Sequence, residues 1–418
     1  MEKQKKSRMI RKIITASIIM GIFAVGTFAA GNTAIQDDVL SVSVSAVDTQ
    51  TTSDGFVYYI ENGAAVITKY NNTTATSLTI PSKISGYSVS TIGEYAFQNM
   101  EKLSTVTIPS SVKTINRGAF KKCTSLSEIT IPDSVTSITT RYNNTDEGIF
   151  YGCTALKTAS VGSGVKALPN GTFYGCSELK TVSLSNVLTS IGKECFRGCE
   201  RLYTINLPSS LELIGGRAFY GCSRLPKIVI NGTKCTIDEF AFENCSELKQ
   251  AVINSGIQKI NRGAFKNCAL LESIVIPDSV TELNTTYGNS DEGIFYHCTS
   301  LKTASVSQSV TKLPNALFIG CTNLTNAALP DKLEFIGSRV FEGCERLTTV
   351  NFPTTLEKIG DHAFYNCKRL PQVVINGTNC SIEEYAFENC SALKTAQINN
   401  FIIKIYRGAF KTVSFLKI

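Results

Sequence analysis

The sequence predicts a repeat solenoid, with a parallel β-sheet on its concave side and short strands, turns and helical turns on the other. Phenylalanine recurs fourteen times, at 97, 120, 150, 173, 196, 219, 242, 265, 295, 318, 341, 364, 387 and 410. Twelve of the fifteen cysteines keep step with it, from Cys123 to Cys390. Both series advance by 23 residues, with two steps of 30. A longer period of 145 overlies them: Ile115-Asn-Arg-Gly-Ala-Phe120 returns as Ile260-Asn-Arg-Gly-Ala-Phe265 and again as Ile405-Tyr-Arg-Gly-Ala-Phe410. One 23-residue unit buries too little apolar surface to offset the entropy of ordering it, so units must stack and cover one another.

Taken in chain order, residues 1–30 have the form of an export signal. Lys3, Lys5, Lys6, Arg8, Arg11 and Lys12 precede an apolar run from Ile13 to Ala30 that ends in small residues. An uncleaved membrane anchor is the alternative, since 18 residues just span a bilayer. Residues 31–53 read as a linker. Residues 54–77 read as an N-terminal β-hairpin cap: Phe56–Ile60 and Ala64–Tyr70 flank Glu61-Asn62-Gly63, and Asn-Gly favours a tight hairpin turn. Residues 78–418 hold about fourteen units of the form LxxIxIPxSVxxIxxxAFxxC, organised as a 145-residue super-repeat.

Within a unit, LxxIxI alternates like a strand. Pro109, Pro132, Pro208, Pro277, Pro330 or Pro353 closes it, lacking an N–H for the ladder. The VxxI pair turns the chain and offers a second short strand, and the near-helical spacing of AFxxCxxL predicts one helical turn. The recurrent cysteine is expected to be a small buried hydrophobe with a free thiol, because equivalent side chains in stacked coils point the same way rather than at each other.

This motif with its 23-residue period resembles the BspA-like, treponemal-type leucine-rich-repeat family of bacterial surface proteins, over nearly all of residues 78–418. The resemblance implies a leucine-rich-repeat solenoid that is secreted or surface-exposed. Some members bind host matrix proteins or other microbes. It implies no catalytic residues. The 30-residue units and the Asn231-Gly232 and Asn376-Gly377 corners depart from the pattern.

Counting from the leucine of LxxIxI, positions three and five should face outward on the concave sheet. Thr105, Thr107, Thr130, Thr158, Ser160, Thr181 and Ser183 stand there in the early units, a hydroxyl-rich surface suited to extended peptide or glycan. In three later units position five is Val229, Val252 and Val275, beside Lys227, Gln250 and Ser273 at position three. These six are the candidate partner-binding residues, an apolar stripe with a polar border. The inserted residues of the long units carry Asp146-Glu147 and Asp291-Glu292, which read as the acidic start of a helical turn capped by Thr145 or Ser290, in preference to calcium ligands.

The six basic residues near the N-terminus, against Glu2, supply +5 of the net charge of +7, and the remaining +2 is no footprint for nucleic acid. No catalytic, metal or cofactor site stands out: His297 and His362 occupy different slots, and Cys195, Cys235 and Cys380 fit small core positions. The expectation is an exported, non-enzymatic solenoid, secreted or at the cell surface. It binds extracellular protein or glycan and meets the membrane only through an uncleaved N-terminal segment. The alternative is a structural component that self-associates through the C-terminal end, where Val413 takes the cysteine slot and no polar cap is evident.

Overall fold

The computed structural model describes residues 47–140, 145–287, 290–377, 379–399 and 402–413. The export segment, most of the linker and the last five residues lie outside them.

Each coil contributes two short strands to two separate parallel ladders. The front ladder is built from LxxIxI. In Glu128–Ile131, Ile129 and Ile131 are buried while Glu128 and Thr130 are exposed, which is the alternation a half-buried strand needs. Like slots pair across coils: Glu128 lies opposite Thr158, and Thr158 opposite Thr181. The second ladder is built from the two residues around the isoleucine of VxxI, as in Ser190–Ile191 beside Leu213–Ile214. The expected second strand is therefore present.

The expected helical turn at AFxxCxxL is corrected: the described residues contain no helix. The reason is a division of labour among the amides. Ala119, Lys121 and Cys123 donate within the coil to Asn116, Gly118 and Phe120, while Gly118, Phe120 and Lys122 donate to Glu147, Ile149 and Tyr151 of the next coil. A helix would use every amide internally and leave none for stacking. The alternation produces tight turns joined into a third ladder. It runs without a break from Phe97, which donates to Ala119, to Asn389, which donates to Lys411.

This corner requires left-handed backbone two residues after each phenylalanine. All fourteen such positions have positive φ; six are glycine, such as Gly198 at +73°, and five are asparagine. Lys122, His297 and Thr412 fill the rest. The phenylalanines stack behind the corner as one column, with centroids 5.0–5.6 Å apart and ring planes 3–21° from parallel. Beside the column, the thiols of the twelve periodic cysteines each donate to the phenylalanine carbonyl of the coil before, at 3.2–3.3 Å. All fifteen cysteines are buried and free.

The N-terminal hairpin forms from β2 (Phe56–Glu61) and β3 (Ala64–Tyr70), with Asn62 and Gly63 both at positive φ in the turn. It extends the stack in line instead of closing it over. β3 pairs in parallel with Tyr87–Ile92 of the second ladder, and among the described residues the short strand β1 (Gln50–Thr51) stands at the sheet edge. Tyr70 and Phe56 carry the ring column on past Phe97.

Each sheet ladder is interrupted at places 145 residues apart. The second ladder stops at Ser137–Ile138 and resumes at Ala167–Leu168, then stops at Glu282–Leu283 and resumes at Lys312–Leu313. These gaps fall at the seven-residue inserts. The glycine that follows each insert presses on the next coil, where a Cβ on Gly148 or Gly293 would lie 1.7 Å from the carbonyl oxygen of Gly171 or Ala316. The front ladder is divided between Thr105–Thr107 and Glu128–Ile131, and again after Thr204–Ile205 and Thr349–Val350; the last two breaks are 145 residues apart and fall just before Pro226 and Pro371.

Candidate functional site

The outward slots of the front ladder form an open surface rich in hydroxyl groups. Thr158, Thr181 and Thr204 stand in register in slot three, and Ser160 pairs with Ser183 in slot five. Thr158, Thr181 and Thr204 are exposed, as expected from the sequence. Together with Glu128, Thr130 and Asn206 they line a shallow depression of about 530 Å³ that crosses four coils. Its walls offer hydroxyl and amide groups and one carboxylate, with no aromatic ring on the floor.

The six stripe residues lie on the next three strands. Lys227 faces Gln250, Val229 faces Val252, and Gln250 faces Ser273. Lys227, Gln250 and Ser273 are exposed; Val229 and Val252 are half-buried, whereas Val275 is 61% exposed and pairs onward with Ser305. The structure thus sets Val229 and Val252 side by side and adds Val275 on the following strand. Val374, the counterpart of Val229 at the 145-residue offset, is 37% exposed.

The inserts do other work than the sequence suggested. No helix begins at Glu147 or Glu292, so the expected helical start is corrected. Glu147 turns back to the coils before it, accepting from the Tyr95 hydroxyl at 2.8 Å and pairing with Arg117 at 3.1 Å. Arg117 also pairs with Glu94 at 2.6 Å. Burial, then the bond to Glu147, push the Tyr95 hydroxyl up to about 12. In the second block Glu292 meets Lys266 at 2.6 Å, and Arg262 meets Glu239 at 3.1 Å with its guanidinium over Phe240. Each insert is a strap whose glutamate is held by cations. The signal was the 145-residue match of Glu94-Tyr95 and Arg117 with Glu239-Phe240 and Arg262.

Nucleophilic chemistry has little material. Burial raises the thiols of Cys195, Cys235 and Cys380 to about 12, far above neutrality. Among the described residues no three His, Cys, Asp or Glu side chains gather as a metal would require. Two features escaped the sequence analysis. Tyr203 is 64% exposed beside the strand Thr204–Ile205, and Pro226 and Pro371 stand inside a front-strand slot. The second could have been found by asking which prolines precede a strand rather than follow it.

The BspA type leucine rich repeat region matches residues 68–176, 90–202, 166–290 and 288–417, which together cover most of the chain. The chain belongs to the BspA-type leucine-rich-repeat family. Comparison with curated protein sequences returns no match. Among solved structures, a leucine-rich-repeat protein from Bacteroides ovatus is 25% identical, with a TM-score of 0.62 over 88% of this chain and 98% of that one. A leucine-rich cell surface protein from Faecalibacterium prausnitzii is 21% identical, with a TM-score of 0.43 over 89% and 94%. The leucine-rich-repeat protein of T. pallidum is 22% identical, with a TM-score of 0.29 over 71% and 90%. The first of these carries the fold comparison.

Proposed function

We propose that this BspA-type solenoid is an exported, non-enzymatic binding protein, secreted or held at the bacterial cell surface, that recognises an extracellular protein or glycan through its front face. The depression over Thr158, Thr181 and Thr204 carries the reading: it presents rows of hydroxyls at the ~4.8 Å spacing of paired strands, on a hydrogen-bonded sheet. The basic and apolar N-terminal segment supports export. The valine stripe continues the same face and supplies apolar contact area. The test is solid-phase binding of the protein to host matrix extract and to a glycan array. Introducing Thr158→Arg with Thr181→Arg should abolish binding while the circular dichroism stays native, and Val229→Ser, Val252→Ser and Val275→Ser together should weaken it at least tenfold. Native-level binding by both variants would refute the front face as the site.

A further inference from the structure

We propose that the corner ladder carries a second binding site, a pocket at Arg217 that takes a sugar ring bearing a carboxylate. It goes beyond the front-face reading, since none of the residues that line it belongs to a front strand.

Two slots of each coil build it: the residue before the alanine of the AF pair and the residue after its phenylalanine. From the coil of Phe196 to that of Phe265, the second of these slots runs Arg197, Tyr220, Glu243, Lys266. Backbone bonds of 2.9 Å join these coils there, Gly198 donating to Tyr220, Gly221 to Glu243 and Asn244 to Lys266. Glu243 is buried between half-buried neighbours, and Phe240 is buried beside it. The two floor a pocket of about 340 Å³, with Arg197, Arg217, Tyr220 and Lys266 among its walls.

Arg217 decides what the pocket takes. Its guanidinium lies over the Phe240 ring at 4.8 Å, and Arg262 lies over the same ring at 4.8 Å. Stacking uses the face of a guanidinium and leaves its N–H donors, which lie in the plane, for other partners. The carboxylates of the adjoining coils are engaged elsewhere: Glu194 pairs with Arg197 at 3.0 Å, and Glu239 with Arg262 at 3.1 Å. Among the described residues Arg217 forms no ion pair. Arg197 adds a second cation at the same end, its guanidinium over Tyr174 at 5.4 Å and Tyr220 at 4.8 Å.

The other end is anionic but compensated. Glu243 and Glu292 pair with Lys266 at 3.3 and 2.6 Å, and Arg262 lies 4.0 Å from Glu292. A carboxylate has about four acceptor sites, so these pairs leave lone pairs for hydroxyl donors. The pocket is thus dipolar. A free guanidinium suits a bidentate carboxylate, while Glu243 and Glu292 accept hydroxyls and repel further negative charge. A polyanion fails the second demand and a neutral sugar the first; a sugar acid meets both.

The 145-residue copy is an internal comparison. Tyr365, Tyr385, Glu388 and Lys411 take the places of Tyr220, Phe240, Glu243 and Lys266. The cationic end is lost: His362 stands for Arg217 and is held by Asp361 at 2.8 Å, and Glu342 stands for Arg197. The pair Arg339 and Glu342 is the pair Glu194 and Arg197 with the charges exchanged. The copy therefore lacks what Arg217 supplies.

The experiment titrates the full chain with glucuronate, N-acetylneuraminate and the primary amide of each, read by saturation-transfer NMR. At least one acid should bind saturably, and the stronger of the two names the sugar class. Its amide should bind roughly tenfold more weakly. Arg217→Met should weaken the acid by about tenfold or more, Arg217→Lys by about fivefold because it keeps the charge without the fork, and His362→Asn by less than about twofold. Melting curves check that the variants fold; if Arg217→Met does not, Arg217→Lys and the amides decide. Absence of saturable binding by either acid, equal binding of acid and amide, undiminished binding by the Arg217 variants, or competition by free alanine overturns the proposal. Thr158→Arg with Thr181→Arg should leave sugar-acid binding unchanged whether or not the front-face reading holds; loss there would place the acid on the front face and strike this site.

Discussion

His297 holds with an imidazole the left-handed position that glycine or asparagine occupies in most coils, at φ +56°. Its ring stacks on Tyr296 at 4.2 Å and covers Gly320, which has no Cβ to obstruct it. Burial, and then the charge of Lys266, hold its pKa below the ordinary histidine range. As pH falls through about 6.5 the unfolded chain takes up a proton that the folded chain still refuses. The stability His297 contributes is therefore present above that range and lost as pH drops through the lower folded value. His297→Asn keeps a residue tolerant of positive φ and removes the titration. Melting temperature measured from pH 7.5 to 5 should fall less steeply in this variant than in the parent; parallel curves would show that His297 does not titrate with folding.

The strap formed by Glu147 shows how an element can be fixed by groups far away in sequence. Its carboxylate is buried against Tyr95 and Arg117, so Glu147→Gln removes a charge-assisted bond and should cost about 1.5–3 kcal/mol in urea titration. The same substitution in an Arg117→Met background should cost clearly less, since the two side chains act as one unit. Additive losses would mean the strap is held by its backbone alone. Elements of this kind mark the limit of what the sequence reveals. Strands, register and coil count follow from the 23-residue period, because each slot has one apolar or polar identity in coil after coil. The AFxxCxxL turn was misjudged because side-chain spacing does not say where amides point, and alternate amides there serve the next coil. Glu147 was read locally as the acidic start of a helical turn because its partners lie 30 and 52 residues away. The valine stripe was legible as a pattern, yet the break beside Val229 was not, because Pro226 matters only when set against the donor of its slot.

At the scale of the molecule, the two sheet ladders are interrupted in turn while the corner ladder and its phenylalanine column are continuous. Each coil therefore always has at least one unbroken connection to each neighbour, and the corner is the spine. Stability should then behave as a chain of nearest-neighbour terms. Phe219 stacks on Phe196 at 5.1 Å and on Phe242 at 5.0 Å, whereas Phe410 has a ring contact with Phe387 alone among the described residues. Phe219→Ala should cost about 3–5 kcal/mol and uncouple the coils on either side, so that urea unfolding resolves into two transitions. Phe410→Ala should leave the main transition in place and raise hydrogen exchange chiefly in the coils of Phe387 and Phe410, because among the described residues it removes a single ring contact. Equal shifts of a single transition by both substitutions would mean that the solenoid unfolds as one globular core, and that the corner column is not what transmits order along it.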